Sequence, residues 1–210
     1  MPLEQEMKLS VVGNDDVDLM QLGFQNFQCS GIKEQRLVST YFDTPNLMLL
    51  KKHVGLRLRF DGQQWFQTVK ESGQVNNGLH QRNEWEDKIP TDDFDLTLLR
   101  QTPLSALIED KTIWPNISQL FITDFIRQSI LVSDENTEVE LAYDKGTISN
   151  KEKTTAIHEI ELELKRGDIS QLLFLSVQLM MQLPLKATEK SKAQQGYALH
   201  STKVQLYGNS

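Results

Sequence analysis

The amino-acid sequence predicts a mainly β fold of the α+β class, in which a closed or nearly closed antiparallel sheet carries a few flanking helices. Three observations support this prediction. Segments in which apolar and polar residues alternate with a period of two follow one another along most of the chain. Helical spacing of apolar residues is confined to a few stretches. No segment approaches the roughly 18 consecutive apolar residues of a membrane span, so a soluble protein is expected.

The alternation predicts strands and one tight hairpin. Within the hairpin, Asp61-Gly62 is a two-residue turn signal, which places Arg57 opposite Phe66 and Arg59 opposite Gln64. The same turn puts Thr68 and Lys70 on the arginine side of the sheet, because paired residues project to one side. The strands are predicted at residues 3–12, 36–44, 55–70, 79–89, 123–132, 138–145 and 155–165.

Helices are expected in four places. Asn14 or Asp15 caps a helix that ends at Phe27, and Asp168 caps a helix over 169–183. Because the 169–183 segment is apolar around most of its circumference, it is predicted to be buried. The other two helices are predicted at 103–110 and 191–204, and the irregular stretch 90–118 is predicted to be a long insertion. Since no repeat or distinct linker interrupts the sequence, residues 1–210 are predicted to form one domain.

Charged residues recur on one face of strand after strand. On any single strand such a face is ordinarily solvent-exposed. Here the pattern recurs on many strands, and only a few helices are available to cover the sheet. We therefore expect the helices to pack on the apolar face, outside the sheet, and the charged faces to converge on a hydrated, charge-balanced lumen. A lumen with both signs of charge suits a polyanion bridged to a divalent metal. The charged faces contain Glu4, Glu6 and Lys8; Arg57, Arg59 and Lys70; Arg82, Glu84 and Glu86; Glu138, Glu140 and Asp144; and Glu159, Glu161 and Glu163.

Composition limits the classes of partner. The chain has 210 residues, with 22 Lys and Arg against 29 Asp and Glu, and a net charge of −7. This acidic balance argues against a nucleic-acid binder held by bulk charge, although it allows one local basic pocket. The single cysteine, Cys29, excludes an intramolecular disulfide, and the N-terminal residues lack the apolar stretch of a signal peptide. A cytoplasmic protein without a membrane or nucleic-acid partner is therefore expected.

A series of motifs in fixed order resembles the CYTH domain, the triphosphate tunnel metalloenzyme family. Two of these motifs, GLHQR and TDF-x-R, together with WPN at 114–116, resemble bacterial inorganic triphosphatases, which often carry a following CHAD domain. The chain is therefore either a single-domain member of this family or a fragment of a longer protein. The motifs are EQEMK at 4–8, YFDTP at 41–45, GLRLR at 55–59, TVK at 68–70, GLHQRNE at 78–84, TDFIR at 123–127, the strand to Asp144, EIELEL at 159–164 and SKAQQGY at 191–197.

The resemblance implies an eight-stranded antiparallel tunnel that hydrolyses inorganic triphosphate (tripolyphosphate) to pyrophosphate and phosphate with Mg²⁺ or Mn²⁺. It assigns catalysis to Glu4, Glu6, Lys8 and Lys70. It assigns the binding of phosphate oxygens to Lys8, Arg57, Arg59, Lys70, Arg82, Arg127 and Lys192. It assigns the metal to Glu4, Glu6, Glu159, Glu161 and Glu163, with Glu84 and Asp144 as supporting carboxylates.

Two departures from the family pattern leave alternatives open. Phe125 stands where many members have a lysine, and Gln195 stands where close relatives often have an arginine. The alternatives are a thiamine triphosphatase or class IV adenylyl cyclase of the same family, or a non-catalytic triphosphate or polyphosphate sensor. The partner in each case is a small molecule, tripolyphosphate or an organic triphosphate. The oligomeric state stays open, with a homodimer among the alternatives. No histidine is assigned a catalytic role.

Overall fold

The computed structural model describes residues 3–201 and contains one antiparallel sheet that closes on itself. Eight strands form the barrel, and three short strands extend it. The strands are β1 (Leu3–Val11), β2 (Gln28–Cys29), β3 (Lys33–Asp43), β4 (Val54–Phe60), β5 (Trp65–Glu71), β6 (Gln74–Asn76), β7 (Leu79–Ile89), β8 (Ser118–Ser133), β9 (Glu138–Ser149), β10 (Thr154–Arg166) and β11 (Leu185–Ala187).

The barrel strands follow the order β1-β10-β9-β8-β3-β4-β5-β7, and β7 pairs with β1 to complete the circle. Every one of these pairings is antiparallel. The predicted closed eight-stranded antiparallel barrel is therefore confirmed. Closure leaves β2, β6 and β11 as short additions, so the long strands have no unpaired edge.

Helices occupy the loops, the outside of the barrel and one end of its interior. The predicted helix after Asp168 is confirmed as α4, and the Asp168 carboxylate accepts a hydrogen bond from the Ser170 amide at 2.8 Å. The last predicted helix is α5, and residues 202–204 of that prediction lie outside the described residues. The helices are α1 (Met48–Lys51), α2 (Leu96–Leu99), α3 (Ser105–Ile108), α4 (Ile169–Gln182) and α5 (Lys192–Ser201), with 3₁₀ turns at Leu19–Gln21 and Trp114–Asn116.

Two apolar clusters cover the outside of the barrel. In one, α4 and the segment around Leu19 pack on β1, β8, β9 and β10, with Leu9, Leu141 and Leu172 fully buried. In the other, the insertion between β7 and β8 packs on β4 and β5 around Leu56 and Leu104. Because these side chains pack on the outer face of the sheet, the inner face is left to line the lumen.

A third apolar cluster closes one end of the lumen. Phe121 and Phe125 lie on the inner face of β8, and α5 packs against them through Tyr197. The Phe121 and Tyr197 rings meet edge to face with centroids 5.4 Å apart. One helix therefore enters the barrel rather than flanking it, and the charged lumen begins where this apolar end stops.

The helix predicted to run from residue 14 to Phe27 is wrong. The segment contains only the 3₁₀ turn Leu19–Gln21, which Asp18 caps. Beyond the turn, the Gly23 amide donates a 3.0 Å hydrogen bond to the side chain of Gln182 on α4. The backbone therefore finds partners on α4 instead of within a helix of its own.

The predicted hairpin register is wrong by two residues. Arg57 lies opposite Thr68 and Arg59 opposite Phe66, because β4 and β5 are joined by four residues. Asp61 begins this turn, and its carboxylate accepts hydrogen bonds from the backbone amides of the third and fourth turn residues. Since a shift of two residues preserves the side on which each residue projects, the predicted inner face is unchanged.

The prediction that α4 is buried around most of its circumference is also wrong. Leu172, Leu175 and Leu179 are buried against the barrel, whereas the opposite face of α4 is exposed, with Val177 at 57% and Met181 at 83%. Nothing within residues 3–201 covers that face. Among the described residues, no helix combines the length and the apolar character needed to cross a membrane.

We predict that Gly196→Ala destabilises the protein. A Cβ at this position would lie 2.2–2.4 Å from the Phe121 ring. Overpacking should lower the free energy of unfolding by about 1–3 kcal/mol. The higher helix propensity of alanine relative to glycine, about 1 kcal/mol, offsets part of this loss. Urea unfolding measures the difference, and Gly23→Ala is the control because its Cβ would meet nothing within 4 Å. A Gly196→Ala protein as stable as the wild type would contradict the packing of α5 inside the barrel.

A candidate active site in the barrel lumen

The lumen contains a cavity of about 660 Å³ that is lined by charged side chains from seven barrel strands and from α5. All but two of the residues assigned from the sequence line it. The two others, Asp144 and Glu159, lie behind its wall with exposures of 0% and 3%. The expectation that charged faces converge inside the barrel is thus confirmed.

Ion pairs between neighbouring strands hold the end of the cavity formed by β1, β5 and β7. Glu4 lies directly opposite Arg82, and its carboxylate accepts from Arg82 Nε at 2.7 Å and Lys70 Nζ at 2.9 Å. Arg82 Nη2 donates to Glu6 at 2.6 Å, and Lys70 Nζ also lies 2.8 Å from a carboxylate oxygen of Glu84. Although burial alone would raise it, the pKa of Glu4 is held far below its ordinary value by Lys70 and Arg82.

Three carboxylates meet near the boundary with the apolar end. Oxygens of Asp144, Glu159 and Glu161 lie within 4.8 Å of one another, and we call these residues the acidic trio. Lys192 Nζ lies 2.6, 2.5 and 3.0 Å from their oxygens, in that order. Arg127 donates to Asp144 at 2.6 and 2.7 Å and to Glu161 at 2.5 Å.

Neighbouring charges keep Glu161 and Lys192 ionised although both side chains are buried. Burial works to raise the pKa of Glu161, but Lys192, Lys8 and Arg127 hold that pKa well below its ordinary value. Likewise, burial would lower the pKa of Lys192, but the acidic trio holds that pKa well above its ordinary value. Glu161 therefore presents buried anionic oxygens, and Lys192 is a cation.

The donor chemistry of the trio fits a hard divalent cation. Carboxylate oxygens are the ligands that Mg²⁺ and Mn²⁺ prefer, and three of them converge here. The metal ligands assigned from the sequence are divided among three places, because Glu4 and Glu6 are paired with Arg82 and Glu163 is paired with Lys165 at 2.7 Å. Asp144, assigned only a supporting role, belongs to the trio.

The β4 wall of the cavity contains guanidinium groups with donors to spare. Arg57 donates to Glu86 at 3.2 Å, but its buried Nε has no hydrogen-bond partner among the described residues. Arg59 donates from Nε to the Ser39 hydroxyl at 2.9 Å and, within residues 3–201, makes no salt bridge. Burial and the neighbouring Arg57 guanidinium lower the pKa of Arg59 to about 10. Arg59 is therefore a cation without an anionic partner.

Among the lumen residues that were given no role from the sequence are Glu86, His80 and Tyr41. Glu86 accepts from Arg57, and His80 is 2% exposed with Nε2 3.3 Å from the Thr188 carbonyl. Glu86 and His80 share the inner face of β7 with Arg82, so the alternation along β7 already indicated that both face the lumen. Tyr41 lies opposite Arg57; burial would raise its pKa, but Arg57 and Arg59 lower it.

The two departures from the family pattern both lie beside the acidic trio. The Phe125 ring centroid is 4.9 Å from Lys192 Nζ, a cation–π distance. Gln195 Nε2 donates to Glu159 at 3.4 Å. Neither departure removes a residue of the trio or its lysine.

Comparison with known proteins finds solved structures with the same fold, and a relative whose sequence identity is higher than theirs. The structure is similar to that of a candidate adenylyl cyclase from Hippeastrum that is described as having a dominant triphosphatase activity, with a TM-score of 0.59, 18% identity, and coverage of 93% of this chain and 95% of that one. It is also similar to a candidate adenylate cyclase from Bacillus halodurans, with a TM-score of 0.54, 16% identity, and coverage of 93% and 98%. At these identities the likeness shows the fold alone.

The sequence is 31% identical over 206 residues to an inorganic triphosphatase from Haemophilus influenzae. The match covers 94% of this chain but 55% of the relative, so the chain spans about half the length of that protein. The family model described as the CYTH domain matches residues 2–197. With that match over nearly the whole chain, and with the charged barrel that the structure contains, the protein belongs to the CYTH-domain family.

Proposed function

We propose that this chain hydrolyses inorganic triphosphate to pyrophosphate and phosphate, with Mg²⁺ or Mn²⁺ as cofactor. One observation carries the proposal: the same lumen is lined by Arg59, a cation with no carboxylate partner among the described residues, and by Glu161 of the acidic trio, with Arg127 beside both. A cation that is free to bind an anion and a candidate metal site beside one cavity suit a polyanion that bridges to a divalent cation. The relative from Haemophilus influenzae, an inorganic triphosphatase, supports the same proposal.

The basic side chains account for substrate binding. Arginine offers a planar fork that matches phosphate oxygens, and lysine offers a compact point charge. Arg59 and the free Nε of Arg57 are available without breaking an ion pair. We infer that the triphosphate first binds at these two residues. The remaining cations assigned to phosphate are Lys8, Lys70, Arg82, Arg127 and Lys192.

Phosphoryl transfer depends on positioning and on charge stabilisation, because its transition state is loose and its charge is spread over the equatorial oxygens. Asp144, Glu159 and Glu161 would hold the metal, which supplies charge neutralisation to the phosphate oxygens when bound. The lumen cations hold the chain of phosphates along the tunnel axis, and burial strengthens each of these contacts by excluding water.

We predict that phosphate is released from tripolyphosphate in the presence of Mg²⁺ or Mn²⁺ and that a chelator abolishes release. The assay compares tripolyphosphate, ATP and thiamine triphosphate with each metal. Faster turnover of ATP or thiamine triphosphate, or formation of cyclic AMP, would favour the organic-triphosphate enzymes of the family. Tight binding without release would favour a sensor and contradict the proposed hydrolysis.

We predict that Glu161→Gln lowers kcat by about 100-fold or more, because it removes one anionic oxygen donor from the trio and one partner from each of Lys8, Arg127 and Lys192. Steady-state phosphate release measures the loss, and thermal unfolding reports whether the barrel persists. The matched control is Glu189→Gln, which changes an exposed residue. Activity close to that of the wild type would contradict the role of the trio.

We predict that Arg59→Gln raises KM for tripolyphosphate by about 10-fold or more, with a smaller change in kcat, because a charged hydrogen bond of about 1.5–3 kcal/mol to substrate is lost. The control is Arg36→Gln, which removes an exposed guanidinium paired with Asp124 at 2.6 Å. An unchanged KM for Arg59→Gln would place the first contact of the substrate elsewhere in the lumen.

A further inference from the structure

The Lys192 ammonium lies among the oxygens that a metal would need. Nζ is within 3.0 Å of all three members of the acidic trio. An ammonium group has three protons to donate, and here three carboxylates accept them. Lys192 therefore has no donor left for a phosphate oxygen in this arrangement, although the family resemblance assigns it to phosphate.

Phe125 holds the same ammonium from another side. Its ring centroid is 4.9 Å from Lys192 Nζ, and the two residues are 2% and 6% exposed. Gly146 lies opposite Phe125 on β9, and a Cβ there would come within 2.5 Å of Phe125. Close packing of the β8 and β9 backbones therefore fixes the point at which the Phe125 side chain leaves β8, and the ammonium lies between its ring and the acidic trio.

A divalent cation and an ammonium cannot share these three oxygens, because both are compact positive charges that need direct contact with them. Arg127 donates to the oxygens of Asp144 and Glu161 that Lys192 does not contact, Oδ1 and Oε2, and keeps these carboxylates in place. Lys8 shares Glu161 Oε1 with Lys192. Lys192, in contrast, is the first residue of α5, and its four-carbon side chain can reorient without movement of the helix.

We propose that the Lys192 ammonium is a place-holder for the divalent cation: it neutralises the acidic trio until the cation arrives, and is then released to donate to the triphosphate. The inference rests on the proposed function, because it requires a metal at the trio and a phosphate in the lumen. It adds that the metal and the Lys192 ammonium occupy the same position beside the acidic trio, one replacing the other. Entry of the metal therefore frees one more cation for the substrate.

The test measures Mn²⁺ binding in the absence of any triphosphate, by electron paramagnetic resonance of free Mn²⁺. Lys192→Met should bind Mn²⁺ at least tenfold more tightly than the wild type, because the competing charge is gone. Phe125→Leu keeps the lysine but removes the ring, and should bind Mn²⁺ a few-fold more tightly. Lys190→Met, an exposed lysine in the preceding loop, is the charge-matched control and should bind as the wild type does.

Thermal unfolding gives a second readout that does not depend on activity. Because a ligand that binds only the folded state raises its stability, Mn²⁺ should raise the Tm of Lys192→Met more than that of the wild type. Equal or weaker Mn²⁺ binding by Lys192→Met overturns the inference, and metal-dependent hydrolysis by the wild type then leaves the proposed function standing. If neither protein binds Mn²⁺, the metal site on which both proposals rest is contradicted.

Discussion

Charges that a closed sheet encloses must neutralise one another, and the structure of this barrel depends on that constraint. A buried ion without a partner costs several kcal/mol. The barrel satisfies the constraint across neighbouring strands: Glu4 on β1 lies opposite Arg82 on β7, and Arg127 on β8 lies opposite Asp144 on β9. A slip of one residue would turn each partner to the outside. The ion pairs that balance the lumen therefore also specify the register of the sheet.

The interior is divided into an apolar end and a charged end, and the acidic trio lies at their boundary. α5 packs on Phe121 through Tyr197 at the apolar end, and its first residue, Lys192, reaches the trio. Because one side of the trio is packed with side chains, water is excluded there and each electrostatic contact is stronger than it would be in an open groove. The helix that closes the barrel thus also sets the electrostatics of the candidate metal site.

The sequence predicts what depends on alternation alone. The inner faces of β1, β4, β5 and β10 follow from a period of two, so Glu4, Arg57 and Glu161 were correctly predicted to face one lumen. Turn signals predict less, because the carboxylate of Asp61 stabilises a longer turn than the dipeptide suggests. The missing helix after β1 reflects contacts with α4, which no local pattern contains.

The grouping of site residues could be predicted only in part. Glu159 and Glu161 share a face by alternation, but their meeting with Asp144 requires the register of β9 against β10. Lys192 joins them only because α5 turns into the barrel. Phe125 is the clearest case: its sequence position suggests a lost cation, whereas the structure places its ring against the ammonium of another residue. Long-range packing, not local pattern, decides these contacts.

The charge balance of the lumen also bears on how the proposed substrate and cofactor enter. Nearly every lumen cation is already paired with a carboxylate, so a triphosphate alone would bring an excess of negative charge and a divalent cation alone an excess of positive charge. Entry of a divalent cation together with the triphosphate offsets part of the added negative charge, because each supplies charged partners for the groups that the other displaces. Arg59 is the exception, since it has no carboxylate of its own within the described residues. A barrel that is self-neutralised in this way favours the binding of the anion together with its metal over the binding of the anion alone.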